Sequence, residues 1–261
     1  MPNLTTAFET SEPVLNIYYT AGFPALADTV PILLALQAAG ADLVEIGIPF
    51  SDPVADGETI QKSNAVALAN GMSVALLFEQ LRAARDLITV PIILMGYFNP
   101  VLQFGVERFC QHAAECGVSG LIFPDLPILV YEEEYQTLFK AHGLTNIFLI
   151  TPQTSEARIR KIDNLSKGFI YMVSAPGVTG SSGSQGPEQV AYFARIQGMK
   201  LKTPRLIGFG IATSADFENA CRTAHGAIIG SAFIKSLAET GATEADIIAY
   251  VHSIRKAPNI V

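Results

Sequence analysis

The sequence predicts an α/β fold, a single-domain (β/α)8 TIM barrel spanning residues 1–261, and three observations carry that expectation. Short apolar runs rich in Ile, Val and aromatic residues recur along the whole chain. Segments with helical apolar spacing lie between them. No composition break or linker divides the series. Runs this short and this apolar read as strands buried on both faces, as in a parallel sheet. Strand and helix alternate about eight times, which suits a closed barrel. An open doubly wound sheet is the alternative. Its dinucleotide-binding form wants GxGxxG after the first strand, and Thr20-Ala21-Gly22-Phe23-Pro24 does not supply it.

Taken in order, the expected strands are residues 15–19, 43–46, 92–95, 121–123, 147–150, 169–173, 206–209 and 227–229. Between the first two, residues 30–39 run apolar and Ala-rich up to Gly40, a plausible helix stop. Residues 73–87 place Leu76, Leu77, Leu81 and Ala84 at helical spacing. Residues 155–165 open on Ser155, a good N-cap, and residues 243–254 close the chain as a helix.

Composition narrows the function classes. With 49% hydrophobic and 16% charged residues, the chain can bury a large core. The formal charge is -7 and Lys and Arg are scattered, so no surface for a nucleic-acid backbone is expected. A small anion is still compatible, because backbone N–H groups bind one without Lys. Cys110, Cys116 and Cys221 have no CxxC spacing, which points to free thiols in a reducing cytosol. The four His residues are dispersed, with no metal-ligand pattern. No basic leader and no stretch of about 20 apolar residues appears, so a soluble, cytoplasmic protein without membrane contact is expected.

The chemistry concentrates after the second run. Glu45 stands inside Asp42-Leu43-Val44-Glu45-Ile46, where a charge is expensive. Asp52 and Asp56 follow on a stretch broken by Pro49, Pro53 and Gly57. A buried acid at a strand end with further acids on the next loop suits proton transfer. The alternatives are an acid satisfied by a neighbouring hydroxyl or Arg, and loop aspartates that are solvated or act as caps.

The last two runs suggest the ligand. Gly208-Phe209-Gly210-Ile211 follows the seventh, and Gly230-Ser231 follows the eighth and opens a helix. Small residues at these two barrel positions let backbone N–H groups and a helix dipole meet a phosphate; otherwise they only make tight turns. The Gly/Ser-rich loop 175–187 suits a mobile lid or a plain connection, and lacks the Lys of a Walker A loop. Tyr171 sits where strand parity aims it at the barrel interior or simply into core. Tyr97 and Asn99 are placed to face a ligand or a partner, and Asp125 either caps a helix or holds the Asp52 loop. No run carries a Lys for Schiff-base chemistry, and no His cluster offers a metal. Carbon–carbon cleavage here would rest on carboxylates alone, with a substrate such as an electron-rich heteroaromatic ring absorbing the electrons.

The stretch from Glu45 to Gln61 resembles the signature of the tryptophan synthase alpha subunit family. Pro91-Ile92-Ile93-Leu94-Met95-Gly96-Tyr97 with Asn99-Pro100, Pro124-Asp125-Leu126-Pro127, Gly177-Val178-Thr179-Gly180, Gly208-Phe209-Gly210-Ile211 and Gly230-Ser231 match in family order over nearly the whole chain. The resemblance implies cleavage of indole-3-glycerol phosphate to indole and glyceraldehyde 3-phosphate, with no metal or organic cofactor. It implies a beta-subunit partner in an alpha2beta2 heterotetramer, which receives the indole and carries the pyridoxal phosphate. Glu45 then corresponds to the principal acid/base and Asp56 to the second acid. Tyr171 falls on a site tyrosine, and Thr179 on a lid threonine that meets the second acid. Gly180, Gly210, Gly230 and Ser231 fall on phosphate-binding positions, and Asp52, Pro53 and Asn99 on the partner interface. Two departures stand out. Ala175 occupies a lid position that often carries Arg, and Glu58 replaces the usual Pro of Ala-Asp-Gly-Pro.

Overall fold

The apolar runs fold as strands, and their register bends them into a ring. The structure, a computed structural model, describes residues 3–173, 187–208 and 210–255. Its strands are β1 (Val14–Thr20), β2 (Leu43–Gly47), β3 (Ile92–Met95), β4 (Val118–Ile122), β5 (Thr145–Asn146), β6 (Phe148–Ile150), β7 (Ile170–Val173), β8 (Arg205–Gly208) and β9 (Gly226–Ile229). They pair in parallel in the order β5-β4-β3-β2-β1-β9-β8-β7-β6.

The two ends of that order are neighbours in the chain. Only Ile147 separates β5, which pairs with β4, from β6, which pairs with β7. The fifth expected strand is therefore one barrel position divided at Ile147, and the covalent chain closes the ring there. The Ile147 N–H still reaches back to the Leu121 carbonyl at 2.9 Å. The fourth strand begins at Val118 rather than Leu121, because Ser119 and Gly120 interrupt its apolar pattern. Gly120 is small for a reason: a Cβ there would lie 2.8 Å from Leu4 Cδ1.

Strand alternation sorts the core into two layers. Val44, Ile46, Ile92, Leu94 and Leu121 face the helices. Val14, Leu43, Ile93, Ile122, Ile147, Phe169, Leu206 and Ile228 fill the barrel interior, with Leu4 and Phe8 of the short helix Leu4–Phe8 plugging its lower end. Both faces are buried, which is why the runs read as continuously apolar.

Helix ends follow the expected cap chemistry. The helix Thr29–Ala38 is followed by Gly40 at φ +84°, the left-handed conformation that glycine adopts without strain. Ser155 accepts the Arg158 N–H at 3.4 Å and starts the helix Glu156–Leu165. Ser73 does the same for Val74–Ala83, which ends before residue 87 and passes into the tighter turn Arg85–Leu87. No helix among the described residues is long and apolar enough to cross a membrane.

Candidate active site

A cavity of about 520 Å³ opens at the carboxyl ends of the strands. Glu45 lines it from β2, beside Tyr18 on β1 and Ile93 on β3 in register. The residue is fully buried, and burial pushes its carboxyl up to about 8 against the opposing pull of one hydrogen bond. That bond comes from Asn16, whose Nδ2 donates to Oε2 at 2.9 Å. Oε1 has no partner among the described residues. Neither an Arg nor a hydroxyl neutralises this acid among those residues, so its proton affinity stays high.

Asp56 reaches the same cavity from the loop after β2. Burial raises it to about 6, and a hydrogen bond from the Tyr97 hydroxyl works the other way. The same Tyr97 oxygen accepts the Ala55 N–H at 2.9 Å, and Gln61 Nε2 donates to the Asp56 carbonyl at 2.7 Å. Tyr97 thus holds the Asp56 loop, with its ring centre 5.0 Å from that of Phe50. Asp125 takes the cap role: both its carboxyl oxygens accept the Phe98 N–H at 3.0 Å, at the start of the helix Phe98–Phe104. Glu58 opens the helix Glu58–Ala69, where an acid suits the dipole, and pairs with Lys62 at 2.6 Å on an exposed face.

Two buried tyrosines frame Glu45. Tyr171 of β7 belongs to the interior cluster, as its parity predicts, and its hydroxyl lies over Gly208, where a Cβ would collide with it. Tyr18 lies over Gly47 in the same way. Burial raises both hydroxyls far above their usual range, and the neighbouring Glu45 and Asp56 add to the effect. Both tyrosines therefore stay neutral hydrogen-bonding groups.

Small residues line part of the same cavity. Gly210 has φ +75°, Gly230 is the N-cap of the helix Ser231–Thr240, and Ser231 is its first residue; all three line the cavity. The free N–H groups and dipole of that helix end favour an anion. No group of three or more His, Cys, Asp or Glu side chains among the described residues is placed to hold a metal ion.

The family model for the tryptophan synthase alpha chain matches residues 4–257. The chain belongs to the tryptophan synthase alpha chain family. It is 54% identical to the tryptophan synthase alpha chain of Flavobacterium johnsoniae over 241 residues, covering 92% of this chain and 95% of the relative. Identity to the alpha chain of Parabacteroides distasonis is 50% over 249 residues, covering 95% and 96%. Among solved structures, tryptophan synthase of Mycobacterium tuberculosis superposes with a TM-score of 0.86 at 29% identity, covering 97% of this chain and 96% of that one. The family makes the chain an enzyme of tryptophan synthesis on a TIM barrel.

Within this tryptophan synthase alpha chain fold, Glu45, Asp56, Tyr171, Gly210, Gly230 and Ser231 meet in one cavity. Asp52 and Pro53 stand outside it on the loop after β2, and Asn99 stands in the first turn of the helix Phe98–Phe104 rather than on a loop; Asp52 and Asn99 are exposed and Pro53 is half-buried. Thr179, Gly180 and Ala175 lie outside the described residues. Sequence reasoning missed Asn16, Tyr18, Met95 and Lys235. For Asn16 a signal existed: it is a polar residue in an apolar run, at the same parity as Tyr18.

Proposed function

We propose that the chain cleaves indole-3-glycerol phosphate to indole and glyceraldehyde 3-phosphate. One observation carries the reading: two carboxyls with separated proton affinities, about 8 and about 6, share a cavity that the glycine-led start of the helix Ser231–Thr240 also lines. At neutral pH Glu45 is largely protonated and Asp56 largely ionised. Separated affinities of this kind mark an acid and its charged neighbour.

In this reading Glu45 gives its proton to C3 of the indole ring. Asp56 accepts a hydrogen bond from the ring N–H and stabilises the positive charge that develops there. The bond from C3 to the glycerol carbon breaks, and its electron pair returns to the ring. The hydroxyl on the departing carbon becomes the aldehyde and passes its proton to the Glu45 carboxylate, which restores the starting acid. Gly210, Gly230 and Ser231 hold the phosphate, and Gly180 joins them by resemblance. Tyr171 packs the ring side, and Thr179 meets Asp56 on the same family pattern. The reaction needs neither metal nor organic cofactor.

The partner reading rests on the resemblance and on the exposure of the segments beside the site. Val54 is 87% exposed on the loop after β2, and Asp52 on the same loop and Asn99 on the helix Phe98–Phe104 are exposed as well. Exposure leaves these positions, which the resemblance assigns to the partner interface, open to a protein partner. A beta subunit docked there would form the alpha2beta2 complex, take up the indole and use its own pyridoxal phosphate.

Indole release from indole-3-glycerol phosphate, with and without a beta subunit, tests the proposal. The expected pH profile is bell-shaped. Activity falls below about 6 as Asp56 takes a proton, and above about 8 as Glu45 loses one. Asp56→Asn should lower turnover by roughly 10²-fold and remove the acid limb. No turnover even in the complex would sink the reading.

A further inference from the structure

We propose that Asn16 is a positioning residue for Glu45: its carboxamide holds Oε2 from the adjacent strand and leaves Oε1 as the oxygen that exchanges the proton. The inference deepens the lyase reading and rests on it.

Register places the two groups. Asn16 pairs with Leu43 and Tyr18 with Glu45, so Asn16 lies one inward step nearer the lower end of the barrel than Glu45. The amide therefore approaches Glu45 from the side away from the strand ends where the cavity opens. Asn16 is fully buried, and its Nδ2 bond to Glu45 is its only side-chain hydrogen bond among the described residues. Its Oδ1 has no partner there. A buried amide that braces no backbone group and is left half-satisfied does little for the fold. Its service is to the acid.

The choice of an amide is informative. A Lys or Arg at this position would pin the ionised carboxylate and abolish the proton donor. A second carboxyl would compete for the proton. A carboxamide carries both a donor and an acceptor and does not titrate. When Glu45 is ionised, Nδ2 stabilises the carboxylate. When Glu45 is protonated on Oε1, Nδ2 still donates to Oε2 and keeps the proton-bearing oxygen in place. One residue can thus serve both states of a proton shuttle.

The remaining neighbours do not duplicate this. Tyr18 on β1 and Tyr171 on β7 face Glu45, and Asp56 lines the same cavity. β3 presents Ile93 and Met95, β4 presents Ile122, and β9 presents Ile228, all apolar. Among the described residues, Asn16 alone hydrogen-bonds the Glu45 carboxyl.

The test uses Asn16→Leu and the smaller Asn16→Ala, neither of which titrates, in the full chain. The Glu45 carboxyl is titrated by carbon NMR on Glu-labelled, ligand-free protein, with Glu45→Gln assigning the signal. In parallel, kcat, KM and the alkaline limb of the pH profile are measured. Removal of the donor should move both the titration and the limb upward by about one pH unit in either variant. In Asn16→Leu, kcat should fall about tenfold while KM holds. A titration and limb unchanged in both folded variants would overturn the inference. A shifted titration in a protein that releases no indole would uphold Asn16 and reject the lyase reading instead.

Discussion

Successive inward positions along three barrel strands, a lower and an upper layer on each, do opposite work. In the lower layer β1, β2 and the approach to β7 present Val14, Leu43 and Phe169. Two residues further along the same strands come Asn16, Glu45 and Tyr171, equally buried and all polar. On each of these three strands hydrocarbon gives way to a hydrogen-bonding group within one repeat of the pleat. The lower layer packs against Leu4 and Phe8, with the Phe8 and Phe169 ring centres 6.0 Å apart. The upper layer leaves Asn16 Oδ1 and Glu45 Oε1 without partners among the described residues. A buried polar atom left unpaired costs about 1–3 kcal/mol, so the apolar layer must carry stability that the polar one spends.

Substitutions that strike one layer should therefore leave the other's signature intact. The largest effect is expected from Glu45→Gln, which keeps the shape and removes the transferable proton. Turnover should fall by roughly 10³–10⁴-fold, near the full value of a general acid–base group. Binding of a non-cleavable indolyl alkyl phosphate, read by calorimetry, should survive, and the melting temperature should not fall. A near-normal rate would make Glu45 a core residue and erase the contrast between the layers.

How much of this division the sequence reveals depends on the layer. Glu45 is legible because a carboxylate in an apolar run is an anomaly, and Gly210, Gly230 and Ser231 because small residues follow runs at barrel positions that favour phosphate. The resemblance then attaches roles to them. Asn16 is harder to read, since one amide in Leu15-Asn16-Ile17-Tyr18-Tyr19 looks like a tolerated interruption until parity is counted. The Tyr97 contact joins residues 42 apart, which no local pattern contains. Division of the fifth strand at Ile147 is equally invisible. It arises from ring closure, where one short segment must serve two neighbours, and no Gly or Pro marks it.

Phe169→Ala strikes the lower layer. Phe169 is fully buried among hydrocarbon neighbours, so the substitution opens a cavity there. A loss of about 3–5 kcal/mol is expected in urea denaturation. The pH limbs of the protein that remains folded should stay near about 6 and about 8, because no group touching either acid has changed. Moved limbs would show that the packing below sets the proton affinities above, and that the layers are one unit.

Gly47→Ala tests the boundary from the strand itself, with the smallest expected effect. Gly47 is the next inward residue after Glu45 on β2, and the Tyr18 ring lies across it. An added Cβ would collide with the hydroxyl and would lie 2.7 Å from Cζ and 2.9 Å from Cε2. These atoms belong to a rigid ring that is only 8% exposed, so the strain cannot escape through a flexible tip. The ring must tilt into the cavity that the substrate needs. Overpacking of this kind costs about 1–3 kcal/mol, and part of it should appear as roughly a tenfold loss in kcat/KM. Tyr18→Leu removes the atoms that collide, so the double variant should lose less than the two single losses added together. Strict additivity would mean that the Tyr18 ring already yields at no cost. The upper layer would then be looser than its burial implies.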